Sequence, residues 1–227
     1  MKISILLPSR NRPVEFERMW RSAINTADNV EDIEFIVYRD IDDHSEYKYP
    51  IQHRVVKGGR VVLSQMWNLC IPVAEGEIFM QCGDDIVFLT KGWDTLVRNA
   101  FEASPDKILF VHGDDGFWSS SFGTHGFVHR KWYEILGYFT PPFYSSDYGD
   151  THINDIADIL GRRMYLPFVT EHLHFLFGKS KVDSTYAERL ERHKKDKPTE
   201  LYNSPEMVKG RVEDTKKLLA VINKNIK

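Results

Sequence analysis

The feature that most constrains this chain is a set of short apolar runs spaced by segments of helical period. Residues 3–7 form a nearly continuous apolar run stopped by Pro8, residues 33–38 and 77–82 repeat the pattern, and 53–56 read as a short further strand, each cut off by a polar turn. Such alternation is the signature of βαβ units around a largely parallel sheet. A helix starting near Pro13 would turn Phe16, Met19, Trp20 and Ala23 inward at three- and four-residue spacing. A second helix fits residues 63–71, limited by Pro72. Asp94 stands where it can cap a third, with Leu96, Val97, Ala100 and Phe101 on its apolar face. Residues 107–112 read as a buried strand and 164–169 as a late strand, and 131–136 and 151–160 as helices, the latter ended by Gly161. The stretch 113–126, rich in Gly, Ser and aromatics, reads as a long loop of the kind that usually carries function.

With 227 residues, 42% of them hydrophobic, the chain can bury a sizeable core. No Pro-, Gly- or Ser-rich linker divides it. The reading is one α/β domain over residues 1–183, followed by a charged helical extension over 184–227. The net charge of −3 does not mark a general polyanion binder. From Arg189 onward, however, 11 Lys and Arg face 6 Asp and Glu, so a basic tail follows an acidic body. That tail is either a phosphate contact or a solvated amphipathic helix. Two cysteines, Cys70 and Cys82, give no disulfide framework and favour a reducing, cytoplasmic setting. The first apolar run is too short for a signal-peptide core, and no segment approaches the ~20 apolar residues of a membrane span, so a soluble protein is expected.

In an open parallel sheet, ligands bind outside the carboxyl ends of the strands. Those ends carry Pro8-Ser9-Arg10-Asn11-Arg12, then Asp40, Asp42 and Asp43, then Asp84 and Asp85. An edge this acidic repels itself unless a cation joins it. Mg²⁺ or Mn²⁺ takes one or two carboxylates and lets substrate phosphates complete its shell. Gly83-Asp84-Asp85 is equally a sequence for a polar turn. Apolar residues on both sides, Ile78-Phe79-Met80 and Ile86-Val87-Phe88-Leu89, place the acids at the mouth of a buried strand, with Trp93 close by.

The order of these pieces matches a known pattern: Pro8-Ser9-Arg10-Asn11-Arg12, Asp40 to Asp43, Lys57-Gly58-Gly59-Arg60, a helix with Asn68, Ala74-Glu75-Gly76-Glu77, then Gly83-Asp84-Asp85. Over about residues 1–95 the chain resembles the family 2 glycosyltransferases of GT-A fold. Its later part, with Glu171-His172-Leu173-His174 and Gly178-Lys179, resembles a narrower phage and bacterial branch. The resemblance implies a GT-A-type nucleotide-diphospho-sugar transferase fold, its nucleotide-sugar half at about 1–95 and its acceptor half at about 96–183. It also implies a nucleotide-sugar donor held by Pro8, Arg10, Asp40, Asp42, Lys57, Arg60, Asn68, Asp84, Trp93 and Lys179. Mn²⁺ or Mg²⁺ would sit on Asp84 and Asp85 with a late histidine, His172 or His174.

Two departures stand out. Cys82 occupies the place of the first acid of the family's Asp-x-Asp, and a thiol is a poor ligand for a hard cation. The usual Asp-Gly-Ser after the second strand is missing. The resemblance places the catalytic base at the start of a helix beyond the acceptor loop, where Asp150 is the candidate and Asp147 the second choice; an Asp there is also an ordinary helix cap. His172 and His174, two apart, point the same way on an extended segment. His125 and His129 read as strand-surface or acceptor-loop residues. Lys181 reads as a diphosphate contact or solvated loop, and Phe117, Trp118 and the aromatics of 138–144 as a stacking platform or as core. The implied activity is transfer of a hexosyl or pentosyl group to an acceptor hydroxyl, with inversion. The alternatives are a nucleotidyltransferase and a non-catalytic nucleic-acid or carbohydrate binder. Modified DNA, glycans and lipid-linked acceptors remain equally open, as does the oligomeric state.

Overall fold

Strand β1 (Ile3–Pro8) is buried at every position, as is β2 (Ile33–Asp40) beside it. Strands covered on both faces read as continuous apolar runs, which is why these two were plain in the sequence. The computed structural model describes residues 1–145 and 147–224; Ser146, shortly before the expected base in sequence, and residues 225–227 lie outside the described residues. Six more strands complete one sheet: β3 (His53–Gly58), β4 (Ile78–Gln81), β5 (Ile86–Phe88), β6 (Phe110–Asp114), β7 (Gly126–His129) and β8 (Arg163–His172). The spatial order is β3-β2-β1-β4-β7-β6-β8-β5. The first four strands run parallel, as do β6 and β8, whereas β7 is antiparallel to both neighbours and β5 to β8.

Helices α1 (Pro13–Thr26) and α3 (Trp93–Ala103) cover one face, burying Phe16, Met19, Trp93 and Phe101 against Ile3, Ile5 and Leu7. The other face takes α2 (Leu63–Cys70), α4 (Arg130–Leu136) and α5 (Gly149–Ile159), with Trp132, Ile153 and Ile156 on Leu6 and Phe79. The chain closes with α6 (Ser184–Asp196), α7 (Pro198–Tyr202) and α8 (Pro205–Lys224). Helix α8 buries Leu218 and Ile222 in that second cluster. Each such side chain contributes about 1.5–3 kcal/mol, so the 184–224 stretch is fastened to the body and is not a solvated appendage.

Local corrections have local causes. Asp94 does not cap α3, because Gly92 holds the cap position in the left-handed region at φ 76°. The Asp94 carboxylate instead accepts the amides of Asp28 (2.8 Å) and Asn29 (3.0 Å) and pairs with Arg98. The helix expected over 151–160 starts at Gly149, behind Tyr148 at φ 70°. Strands β5 and β7 are too short, at three and four residues, to carry a readable period. Cys70 and Cys82 are free and buried. Among the described residues no helix is long and apolar enough to cross a membrane.

Candidate active site

A cleft of about 1180 Å³ opens where β1, β2 and β4 end. Pro8, Arg10, Asp40 and Arg60 line one side, and Asp147, Asp150, His172 and His174 line the other, with Asp84 and Asp85 between them. Asp40 is buried at the end of β2; Arg10 Nη1 donates to its Oδ2 at 3.1 Å while Oδ1 has no partner. Burial raises the Asp40 pKa against the pull of Arg10 and Arg60. Asp43, the third acid of that loop, serves structure: it accepts the amides of Asn11 and Ser45 and the Tyr47 hydroxyl.

The two acids after β4 have different fates. Asp84, expected as a metal ligand, has both oxygens engaged by the β1 loop, Oδ2 by Ser9 Oγ (2.7 Å) and Oδ1 by Arg12 Nη1 (3.2 Å). It ties the loop after β1 to the turn after β4. Burial, and next to it the Asp85 charge, push its pKa upward despite Arg12. Asp85 faces histidines. The β5–β8 ladder sets Ile86 opposite His172, and Leu173 N–H bonds Asp85 O at 2.7 Å, so His172 Nε2 lies 3.3 Å from Asp85 Oδ2. Burial alone would raise Asp85, yet His172, His125 and the Tyr186 hydroxyl together hold its carboxyl far below the ordinary range.

Two donors at right angles about an ion with ~2.1 Å bonds sit about 3 Å apart, so the Asp85–His172 pair fits a divalent cation. His172 Nδ1 is buried without a hydrogen-bond partner. Asp85, His125 and His172 offer ligand atoms that all lie within 4.8 Å of one another. His174, the alternative late histidine, is not among them: its Nδ1 accepts Leu176 N–H (3.3 Å) and its ring packs on Phe175 and Tyr186. His125, read from sequence only as strand surface or acceptor loop, is buried in the cleft wall. Burial and the neighbouring His172 lower its pKa to about 3, keeping the imidazole neutral.

On the far side of the cleft, Asp150 sits in the first turn of α5, its Oδ1 taking Thr151 N–H at 2.8 Å. Burial, with a contribution from Asp147, lifts its pKa to about 6. Asp147 moves the other way: burial opposes ionisation, but ion pairs with Arg189 and His193 hold it below the usual carboxylate range.

Helix α6 forms a wall of this cleft. Asp183 caps it by accepting Tyr186 N–H (2.9 Å) and grips Arg12 through Nε (2.7 Å) and Nη2 (2.8 Å). Tyr186 OH donates to Asp85 Oδ2 at 2.8 Å while Arg12 lies 4.1 Å over its ring. Glu188 pairs with Arg60. Asp183 and Glu188 thus turn their charges inward, while most of the tail's later charges stay exposed.

Other residues expected to hold the donor lie elsewhere. Trp93 is fully buried, its ring against Phe88 and Phe127 and its Nε1 donating to Ala23 O. Asn68 spends its amide on residues 139 and 140. Lys57 is exposed on β3 away from the cleft lining, and Lys179 pairs with Glu171 at 3.0 Å. Asp42 is exposed and paired with Arg10 at the rim.

This architecture is the GT-A glycosyltransferase fold. No family model matches the chain, and no curated protein matches it in sequence. Among solved structures, the mannosyltransferase PcManGT of Pyrobaculum calidifontis, in complex with GDP-Man and Mn²⁺, is similar at 15% identity and TM-score 0.57 over 99% of this chain and 87% of that one. TarS of S. aureus (residues 1–349, with UDP) is similar at 12% identity and TM-score 0.56 over 98% and 81%; against a longer TarS chain the coverage is 43% of that chain. Glucosyl-3-phosphoglycerate synthase of Mycobacterium tuberculosis, with Mg²⁺ and UDP, is similar at 14% identity and TM-score 0.52 over 75% and 71%.

Proposed function

We propose that this protein is a glycosyltransferase of family 2 type that moves a sugar from a nucleoside-diphosphate donor to an acceptor hydroxyl, with inversion. The observation that carries the reading is one cleft holding both a basic, acid-edged nucleotide side (Arg10, Asp40, Arg60) and a carboxylate of raised pKa, Asp150, across from the Asp85–His172 pair. The solved structures of like fold, bound to GDP-Man or UDP, support it.

In this reading the unpartnered Asp40 Oδ1 accepts from the donor base, and Arg10 fixes that carboxylate. Arg12 and Arg60 face the diphosphate. Asp85 and His172 would hold Mn²⁺ or Mg²⁺, which supplies positive charge against the departing diphosphate. Asp150 takes the acceptor hydroxyl's proton; a pKa of about 6 leaves it ionised at neutral pH yet basic enough to accept. Attack from that side displaces the diphosphate and inverts the anomeric carbon.

A thermal-shift screen of GDP and UDP with and without Mn²⁺, followed by hydrolysis assays over several nucleotide sugars, tests the proposal. Stabilisation should require nucleotide and metal together, and Asp85→Ala should abolish the metal-linked part. Absence of any nucleotide effect and of any donor hydrolysis would overturn the assignment.

A further inference from the structure

Cys82 stands where the resemblance expects the first metal-side acid, and the structure explains how the site manages without it. The Cys82 side chain turns into the core, fully buried, with Sγ 3.8 Å from Met19 Sδ. Burial raises its thiol pKa well above the ordinary value, so it is neither placed nor ionised to bind a cation. The β4–β7 ladder pairs Ile78 with His129, Phe79 with Val128 and Met80 with Phe127. Continuing that register past the end of β4 sets His125 opposite Cys82. A residue from the neighbouring strand thus arrives where the acid is missing.

Gly83 makes room for it. A Cβ built there would lie 2.5 Å from Asp85 Oδ1 and 3.4 Å from His125 Nε2. Any side chain at this position would push apart the two groups that converge beside it. His125 and His172 meet edge to face, with ring centroids 4.6 Å apart. Thr124 Oγ1 lies 3.3 Å from His125 Nδ1, a partner for the ring nitrogen opposite the one that faces Asp85.

We propose, building on the transfer reading above, that His125 is the third protein ligand of the cation held by Asp85 and His172, and that this set selects a first-row transition ion such as Mn²⁺ over Mg²⁺. Two imidazoles and one carboxylate replace an all-oxygen site. Mg²⁺ keeps to oxygen and to near-ideal octahedral geometry, whereas imidazole nitrogen suits the borderline transition ions. Asp84, tied to Ser9 and Arg12, stays outside the coordination shell and holds the loop.

The test reads metal binding without any sugar donor. EDTA-stripped protein is titrated with MnCl₂ while the signal of free aqueous Mn²⁺ is followed by electron paramagnetic resonance, then challenged with MgCl₂. Wild type should bind one Mn²⁺ that Mg²⁺ displaces only in large excess. His125→Ala should weaken Mn²⁺ by at least about tenfold in protein that a cooperative melt in EDTA shows to be folded. His125→Asp should narrow the preference for Mn²⁺ over Mg²⁺ by restoring an oxygen donor. Gly83→Ala should weaken Mn²⁺ binding with His125 intact. Mn²⁺ bound equally by wild type and a folded His125→Ala protein would overturn the assignment, as would Mg²⁺ competing one for one. Wild type binding no cation would overturn it too, and donor hydrolysis persisting in EDTA would then show that transfer stands without it. Should His125→Ala fail to fold, the wild-type ion preference and the Gly83→Ala titration decide the matter.

Discussion

Replacing Asp150 by Asn should make the protein more stable and inactive at once. The Asp150 carboxyl titrates at about 6, against 3.8 for an ordinary Asp, chiefly because it is buried. A shift of about two units corresponds to roughly 3 kcal/mol between the charged and neutral forms, and solvent at the cleft edge trims the usable part to about 2 kcal/mol. The sign follows from linkage: a carboxyl whose folded pKa lies above its unfolded value binds protons more tightly when folded. The cost of charging it is therefore absent below pH about 4, grows as pH rises between about 4 and 6, and is complete above 6. Asn keeps the shape and can still accept Thr151 N–H but never carries the charge. Urea unfolding at pH 4 and pH 7.5 should give nearly equal stabilities for wild type and Asp150→Asn at the lower pH, and the variant ahead by about 2 kcal/mol at the higher. Turnover should vanish while nucleotide-dependent thermal stabilisation persists. A gain in stability independent of pH would refute the burial argument, and wild-type turnover in the variant would remove Asp150 from the chemistry.

Two further outcomes test the boundaries of the site. Trp93→Ala should cost about 3–5 kcal/mol, seen as a large drop in melting temperature, because the ring is wholly within the core; nucleotide affinity of the folded protein should change little, and a variant that kept its stability but lost nucleotide binding would return Trp93 to the cleft. Glu188→Gln should release Arg60 from a half-exposed ion pair worth about 0.2–1 kcal/mol, raising GDP or UDP affinity by up to about fivefold in calorimetry; unchanged or weaker binding would mean that Glu188 does not compete for Arg60.

The strands that position Arg10 and Asp40 were legible because each is buried on both faces: β1 and β2 show no exposed position to interrupt the run. The acids at their ends were legible for the same reason, since a charged cluster directly after a buried strand has few places to go. Which acid faces the histidines was not. Asp84 and Asp85 are adjacent and chemically identical, and only the long-range contacts of Ser9, Arg12 and His172 separate their roles. His125 was read only as a strand-surface or acceptor-loop residue, because its approach to Asp85 depends on antiparallel pairing of β7 with β4, set by a strand too short to show alternation. The spacing of His125 and His129 about Phe127 hinted at a strand but not at its neighbour. Trp93 misled through proximity: it follows Asp85 by only eight positions in sequence, while α3 carries its ring into the core, where its Nε1 donates to Ala23 O. Helix α6 reads locally as an ordinary amphipathic surface helix, and nothing within it reveals partners some 170 residues away, as Asp183 finds in Arg12.

Helix α6 supplies Arg12 and Arg60 with carboxylates from within the same molecule. These groups act as a tethered internal ligand, present at an effective concentration fixed by the chain and not by the solution. On the proposed function, an incoming diphosphate would enter by exchange, trading one pair of anions for another while the ionic balance of the cavity stays nearly constant. Such capture depends less on ionic strength than filling an open basic groove would. It would also tie the dwell time of a bound nucleotide to how readily one short helix gives up its hold.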